Sequence, residues 1–172
     1  MKEMKASMVY FDMDGVLADF GRGVRELCRM EALPQDGKTD EAQDGLMWEA
    51  IRKTDRFYAR LALLPGAKEM FDAVYSAYGS RCEILTGVPR EDRGIVTAGE
   101  DKLDWTRRML SDTVRVRIVC RKHKQLYCTG PDCVLIDDRE KTIREWTARG
   151  GTGILHTSAE KTMAVLKEKG IL

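Results

Sequence analysis

Met8-Val9-Tyr10-Phe11-Asp12-Met13-Asp14-Gly15-Val16-Leu17-Ala18-Asp19 is the stretch on which the reading of this chain turns. Its first four residues form an unbroken apolar run, the pattern of a short buried strand. Two carboxylates follow, two residues apart. On extended backbone such residues point to the same side, so Asp12 and Asp14 leave the strand end together. Gly15 then permits a sharp turn. Carboxylates held that close repel unless they share a proton or a cation intervenes. A hard cation such as Mg²⁺ suits them because it takes oxygen ligands. Taken alone, the stretch reads first as a strand ending in a solvated acidic turn. An EF-hand loop is excluded, because Val16 stands where a further oxygen ligand is needed.

Composition narrows the class. The 172 residues suffice for one domain with a small insertion, and a hydrophobic share of 43% can fill its core. Lys plus Arg is 29 and Asp plus Glu is 28, a net charge of +1. That balance offers no attraction for a nucleic acid polymer or an anionic membrane. No apolar run approaches a membrane span, and Met1-Lys2-Glu3-Met4-Lys5 lacks the apolar core of a signal peptide. The 5 cysteines read as reduced thiols, so a cytoplasmic location is expected. Cys120, His123, Cys128 and Cys133 lack the spacing of paired zinc knuckles.

Outward from the first stretch, helical spacing predicts helices over Phe20–Met30, Leu46–Thr54 and Ala67–Ala77, with a polar loop from Ala32 to Gly45. The pattern then alternates. Strands are expected at Cys82–Leu85, Val114–Val119, Val134–Ile136 and Gly153–Leu155, and helices at Lys102–Leu110, Glu140–Ala148 and Ala159–Glu168. Such alternation implies right-handed crossovers and a parallel sheet. The expected class is α/β, a Rossmann-like sheet of residues 1–19 and 65–172 with a small helical cap, 20–64, inserted after strand 1. Functional groups gather at the carboxyl ends of such strands. Here those ends carry Asp12 and Asp14, Thr86-Gly87, Asp137-Asp138, and the basic run Arg121-Lys122-His123-Lys124.

A carboxylate can attack a phosphoryl group and form an aspartyl-phosphate. A second one can protonate the leaving alcohol and later activate water. A hydroxyl, a lysine and a metal ion would stabilise the charge. Asp138 is also readable as a helix N-cap, and Lys102, Lys122 and Lys124 are all candidates for the phosphate. His156 ends a strand on the same edge and reads as structural. Phe20, Trp48, Phe57 and Tyr58 are an aromatic set suited to a flat leaving group or to the core of the cap, with Trp48 read towards core.

Together, Asp12-x-Asp14-Gly15-Val16, Leu85-Thr86-Gly87, Lys124 and Ile136-Asp137-Asp138 resemble the four ordered motifs of the haloacid dehalogenase-like (HAD) phosphohydrolase superfamily. The resemblance implies that Asp12 is the nucleophile and Asp14 the general acid/base, with Thr86, Gly87 and Lys124 about the phosphate. Its Mg²⁺ ligands would be Asp12, the main-chain carbonyl of Asp14, and Asp138, with Asp137 close by.

A narrower similarity is to the 5'(3')-deoxyribonucleotidases. It rests on Asp12–Phe20, Leu64-Pro65-Gly66-Ala67, Lys102-Leu103-Asp104-Trp105 and Leu135-Ile136-Asp137-Asp138-Arg139. That similarity implies Phe20 against a nucleoside and Arg90 in contact with substrate. Gly87 departs from it, standing where that family has a serine, and Lys124 to Asp137 is a few residues longer. The expected partner is a small phosphorylated metabolite, a nucleoside monophosphate first, with a homo-oligomer left open. The rival readings are a sugar phosphatase or phosphotransferase, and a metal- and phosphate-binding module without turnover.

Overall fold

A computed structural model of the chain describes residues 5–31, 33 and 40–172. Eleven regular elements follow in order: β1 Met8–Phe11, α1 Phe20–Leu27, α2 Glu41–Lys53, α3 Ala67–Tyr78, β2 Cys82–Gly87, α4 Ala98–Met109, β3 Arg115–Val119, β4 Cys133–Asp137, α5 Glu140–Ala148, β5 Thr152–Leu155 and α6 Ala159–Glu168. A short 3-10 turn, Phe57–Arg60, precedes α3. The five strands form one sheet in the order β3-β2-β1-β4-β5, and every pairing is parallel. This is the expected Rossmann-like α/β architecture. The strand order reverses at β1, so the crevice where such sheets bind ligands opens beside the end of β1.

The apolar runs explain the central strands. β1 is flanked on both edges, and Val9 and Phe11 are fully buried, as are Ile84 on β2 and Val134 and Ile136 on β4. Strands sealed on both faces read as continuous apolar runs, which is why β1 was legible without alternation. Phe11 packs on Phe71 of α3, centroids 5.9 Å apart.

Element ends differ where caps outweigh periodicity. α2 starts at Glu41, five residues before the expected Leu46, because Asp40 caps it through Ala42 N at 3.0 Å. Glu41 and Asp44 then favour its first turn. Gly45 is therefore helical. The remainder of the expected loop, 32 and 34–39, lies outside the described residues. α1 stops at Leu27, short of Met30, where Arg29 turns left-handed with φ 55°. α4 begins at Ala98, a turn before Lys102, with Glu100 and Asp101 in its first turn.

The segment between β1 and α3 is stitched at its base. Asp19 N donates to Ala62 O at 2.8 Å and Leu64 N to Leu17 O at 2.9 Å. Its aromatic residues join the same apolar cluster as the sheet. One face of α4 fastens its far end: Trp105 Nε1 donates to Leu61 O at 2.8 Å, and Arg108 Nη2 donates to Ala59 O. Arg56 holds a left-handed backbone, φ 49°, which costs about 1–2 kcal/mol in an L-residue. Its guanidinium spans Asp101 at 3.1 Å and Asp104 at 3.0 Å on α4. No helix of the described residues is long and apolar enough to cross a membrane.

Candidate active site

Parallel register brings the acids together. Phe11 is level with Ile136 on β4 and Ile84 on β2, so the residues just beyond, Asp12 and Asp137, emerge side by side. Asp12 N donates to Ile136 O at 2.9 Å. The chain then closes a tight turn in which Leu17 N and Ala18 N both reach Met13 O at 2.9 Å. Gly15 sits in that turn at φ +82°, and a Cβ there would stand 2.1 Å from Asp138 Oδ2. Glycine is therefore what lets the Asp138 carboxylate approach the turn. Asp12, Asp137 and Asp138 each offer an oxygen, all within 4.8 Å of one another. They are the one such group among the described residues.

These acids are not equivalent. Lys124 Nζ, buried behind them, donates to Asp12 Oδ1 at 2.6 Å and to Asp137 Oδ2 at 2.8 Å. Burial alone would raise the Asp12 carboxyl, but Lys124, then Lys102 and Arg121, outweigh it and hold Asp12 below its ordinary value. Asp12 is thus an ionised, partly desolvated carboxylate, the state a nucleophile needs. Burial, together with Asp12, pushes Asp137 up to about 6. Burial, Asp12 and Asp137 push Asp138 up to about 8.

Asp137 has both oxygens occupied, by Lys124 and by Arg139 N at 2.9 Å. Asp138 faces the cavity instead. A group of buried acids whose mutual repulsion disfavours their charged forms fits a divalent cation, which would remove that penalty. Asp12 and Asp138 are the oxygens best placed to hold it, with Asp137 orienting Lys124.

The second lysine was legible only as one of three alternatives. Lys102 projects from α4 and is 1% exposed. Its Nζ donates to Asp14 Oδ2 at 2.6 Å, Thr86 Oγ1 at 2.9 Å and Gly87 O at 2.6 Å. Thr86 is fully buried at the end of β2. Its hydroxyl accepts from Lys102 and donates to Gly87 O at 3.3 Å, and it does not line the cavity. Lys124 uses two of its three hydrogens on carboxylates and, like Thr86, is buried outside the cavity lining. Lys122 is exposed.

The cavity outside the strand ends measures about 150 Å³, with Asp12, Asp14, Gly15 and Asp138 at its floor. Phe20, Trp48 and Tyr58 line its wall. Trp48, read towards core, packs against the apolar cluster and also lines the cavity, tethered through Nε1 to Asp44 at 3.1 Å. Arg93 lies over its ring at 5.6 Å. Phe57 packs behind Phe20 at 5.6 Å and is buried.

Gly87, Arg121 and Arg139 also line the cavity, with Gly21 and Leu33. Neither guanidinium makes an ion pair among the described residues, and burial together with Arg121 lowers Arg139. The basic run after β3 had pointed to Arg121; nothing in the pattern singled out Arg139. Arg90 lies outside the cavity lining, 72% exposed and paired with Asp92 at 3.3 Å. His156 is buried and tied by Nδ1 to Thr162 Oγ1 at 2.8 Å, joining the end of β5 to α6. Its structural reading fits that bond.

No family model matches the chain. In sequence it is 29% identical over 140 residues to a protein of Vibrio phage KVP40 named "Putative 5'(3')-deoxyribonucleotidase", covering 81% of this chain and 71% of that one. In structure it resembles a HAD-superfamily hydrolase from Ehrlichia chaffeensis at TM-score 0.50 and 11% identity, covering 98% of each chain. It also resembles a hydrolase from Pseudomonas syringae at TM-score 0.50 and 15% identity, covering 96% of this chain and 91% of that one. The fold is therefore HAD-like, in agreement with the four motifs, and the phage protein lies on the nucleotidase side of that resemblance.

Proposed function

We propose that this HAD-like chain is a Mg²⁺-dependent phosphomonoester hydrolase that works through an aspartyl-phosphate on Asp12, with nucleoside 5'-monophosphates as its leading substrate class. One observation carries the reading. Asp12 is a buried carboxylate kept ionised by Lys124, open to a cavity it shares with Asp14 and Asp138.

Asp12 would attack phosphorus from the end of β1 while the ester oxygen leaves on the opposite side. Asp14, a second acid beside Asp12 on that floor, would give its proton to the leaving oxygen and then take one from the incoming water. The two arginines would meet the phosphoryl oxygens. Mg²⁺, held by Asp12 and Asp138 with the Asp14 carbonyl, would supply Lewis-acid stabilisation of the phosphoryl charge. The wall of Phe20, Trp48 and Tyr58 gives the leaving group flat apolar surface, which suits a nucleobase. Segment 20–64 is read as the cap that carries this wall. The free cysteines suit a cytoplasmic setting.

The test compares wild type with Asp12→Asn on p-nitrophenyl phosphate and a panel of nucleoside and hexose phosphates, with Mg²⁺ and with EDTA. The expected result is Mg²⁺-dependent turnover that prefers nucleoside monophosphates and falls to background in the variant. Equal rates in the two proteins refute catalysis by this site. Turnover confined to hexose phosphates moves the substrate class to sugars. Mg²⁺ and phosphate binding without turnover leaves the binding-module reading.

A further inference from the structure

We propose that Lys102 is a positioning residue for Asp14: it grips one carboxylate oxygen so that the other, Oδ1, faces the leaving oxygen of the substrate. The inference rests on the phosphomonoester reading of the same site.

An ammonium has three hydrogens, and Lys102 spends them on Asp14 Oδ2, Thr86 Oγ1 and Gly87 O, at 2.6, 2.9 and 2.6 Å. No hydrogen is left for a phosphate oxygen, so this lysine acts on the acid and not on the substrate's phosphate. Its exposure of 1% shuts out water, and the Tyr58 ring closes over Nζ at 4.8 Å. Lys102 therefore has a single position.

The consequence appears on Asp14. With Oδ2 accepting from the ammonium, a proton carried by this carboxyl must sit on Oδ1. That oxygen is buried and has no hydrogen-bond partner among the described residues. Leaving a buried acceptor unpaired costs about 1–3 kcal/mol, and such orphans call for a use. Asp14 borders the cavity, where a substrate's ester oxygen would give Oδ1 its partner.

The helix carrying Lys102 also fixes the cavity wall. Trp105 and Arg108 hold the carbonyls of Leu61 and Ala59, and Asp101 holds Arg56 at 3.1 Å. Those bonds seat Tyr58, so one support sets both the acid and the surface the leaving group rests on.

The proton balance is explicit. As an Asp12 oxygen bonds to phosphorus and the ester P–O bond breaks, the Oδ1 proton passes to the departing alkoxide. In the second step water attacks phosphorus, its proton returns to Oδ1, and the Asp12–phosphorus bond breaks to release phosphate.

Leaving-group dependence tests this role. A nucleoside monophosphate expels a basic alkoxide that needs the proton, whereas 2,4-dinitrophenyl phosphate expels a weak base that does not. In Lys102→Met, kcat/KM, which reports the step that breaks the ester bond and not the later hydrolysis common to both esters, should fall by about 100-fold or more on the nucleotide and by less than about tenfold on the dinitrophenyl ester. In an Asp14→Asn background the same substitution should add little, because residues acting through one another are not additive. If the methionine variant does not fold, Lys102→Gln, which keeps an amide donor in that space, should show the same selective loss at smaller size. Equal losses on the two esters, no loss on either, or additive losses with Asp14→Asn each overturn the proposal. Wild-type turnover reports on the phosphomonoester reading itself, while the ratio between the two esters reports on Lys102.

Discussion

Gly15→Ala is the substitution whose effect can be worked most closely from the structure. Two penalties arise. The backbone at φ +82° is left-handed, which costs an L-residue about 1–2 kcal/mol. The new Cβ would also lie 2.1 Å from Asp138 Oδ2 and 2.6 Å from its Cγ, so the carboxylate must retreat by about 1 Å or more to reach ordinary contact. An off-rotamer side chain adds about 0.5–1.5 kcal/mol.

The total, about 1.5–3.5 kcal/mol, lowers Tm by about 3–14 °C at this chain length. The retreat also exceeds the ~0.2 Å tolerance of a metal ligand, so Mg²⁺ affinity should drop by about 10–100-fold. Scanning calorimetry reads the first quantity and isothermal titration of Mg²⁺ the second. A variant that binds Mg²⁺ as tightly as wild type would show that the close approach of Asp138 to this turn is not what builds the site.

Gly45→Ala is the matched control: it lies inside α2, and an added Cβ meets nothing within 4 Å, so thermal unfolding should show a gain of about 0.5–1 kcal/mol. Arg121→Met and Arg139→Met remove cavity-lining guanidiniums that lack a carboxylate partner among the described residues. Each should raise the inhibition constant of inorganic phosphate by about 10-fold or more, read by competitive kinetics. Metal-free protein should lose stability as the pH rises through about 6 and about 8, because burial and mutual repulsion raise Asp137 and Asp138 and the folded chain binds more protons there than the unfolded one. Urea unfolding in EDTA across pH 5–9 measures the slope, and excess Mg²⁺ should flatten it.

Much of this protein is written locally. The run Met8–Phe11 is apolar on both faces, so its burial shows in four letters, and the observed β1 has those same bounds. α5 and α6 keep their expected ends, Glu140–Ala148 and Ala159–Glu168, because periodicity and stop signals agree. Asp12, Asp14 and Asp138 were legible as chemistry only as a set: each acid pair alone reads first as a solvated turn, and it is the ordered strand ends together that point to one site.

Other features depend on distance in the chain and not on neighbours within it. Asp14 and Lys102 are 88 residues apart, and Lys124 and Asp12 are 112 apart; periodicity and spacing do not reveal such pairs. Three lysines were candidates for the phosphate, Lys124 first by motif position, and packing buried two of them and turned Lys102 onto Asp14 and Lys124 onto Asp12 and Asp137. Trp48 and Arg139 took their places at the cavity for the same reason. A side chain's pattern declares whether it prefers water, but which partner neutralises it is settled only when the sheet stacks its strand ends and α4 closes over them.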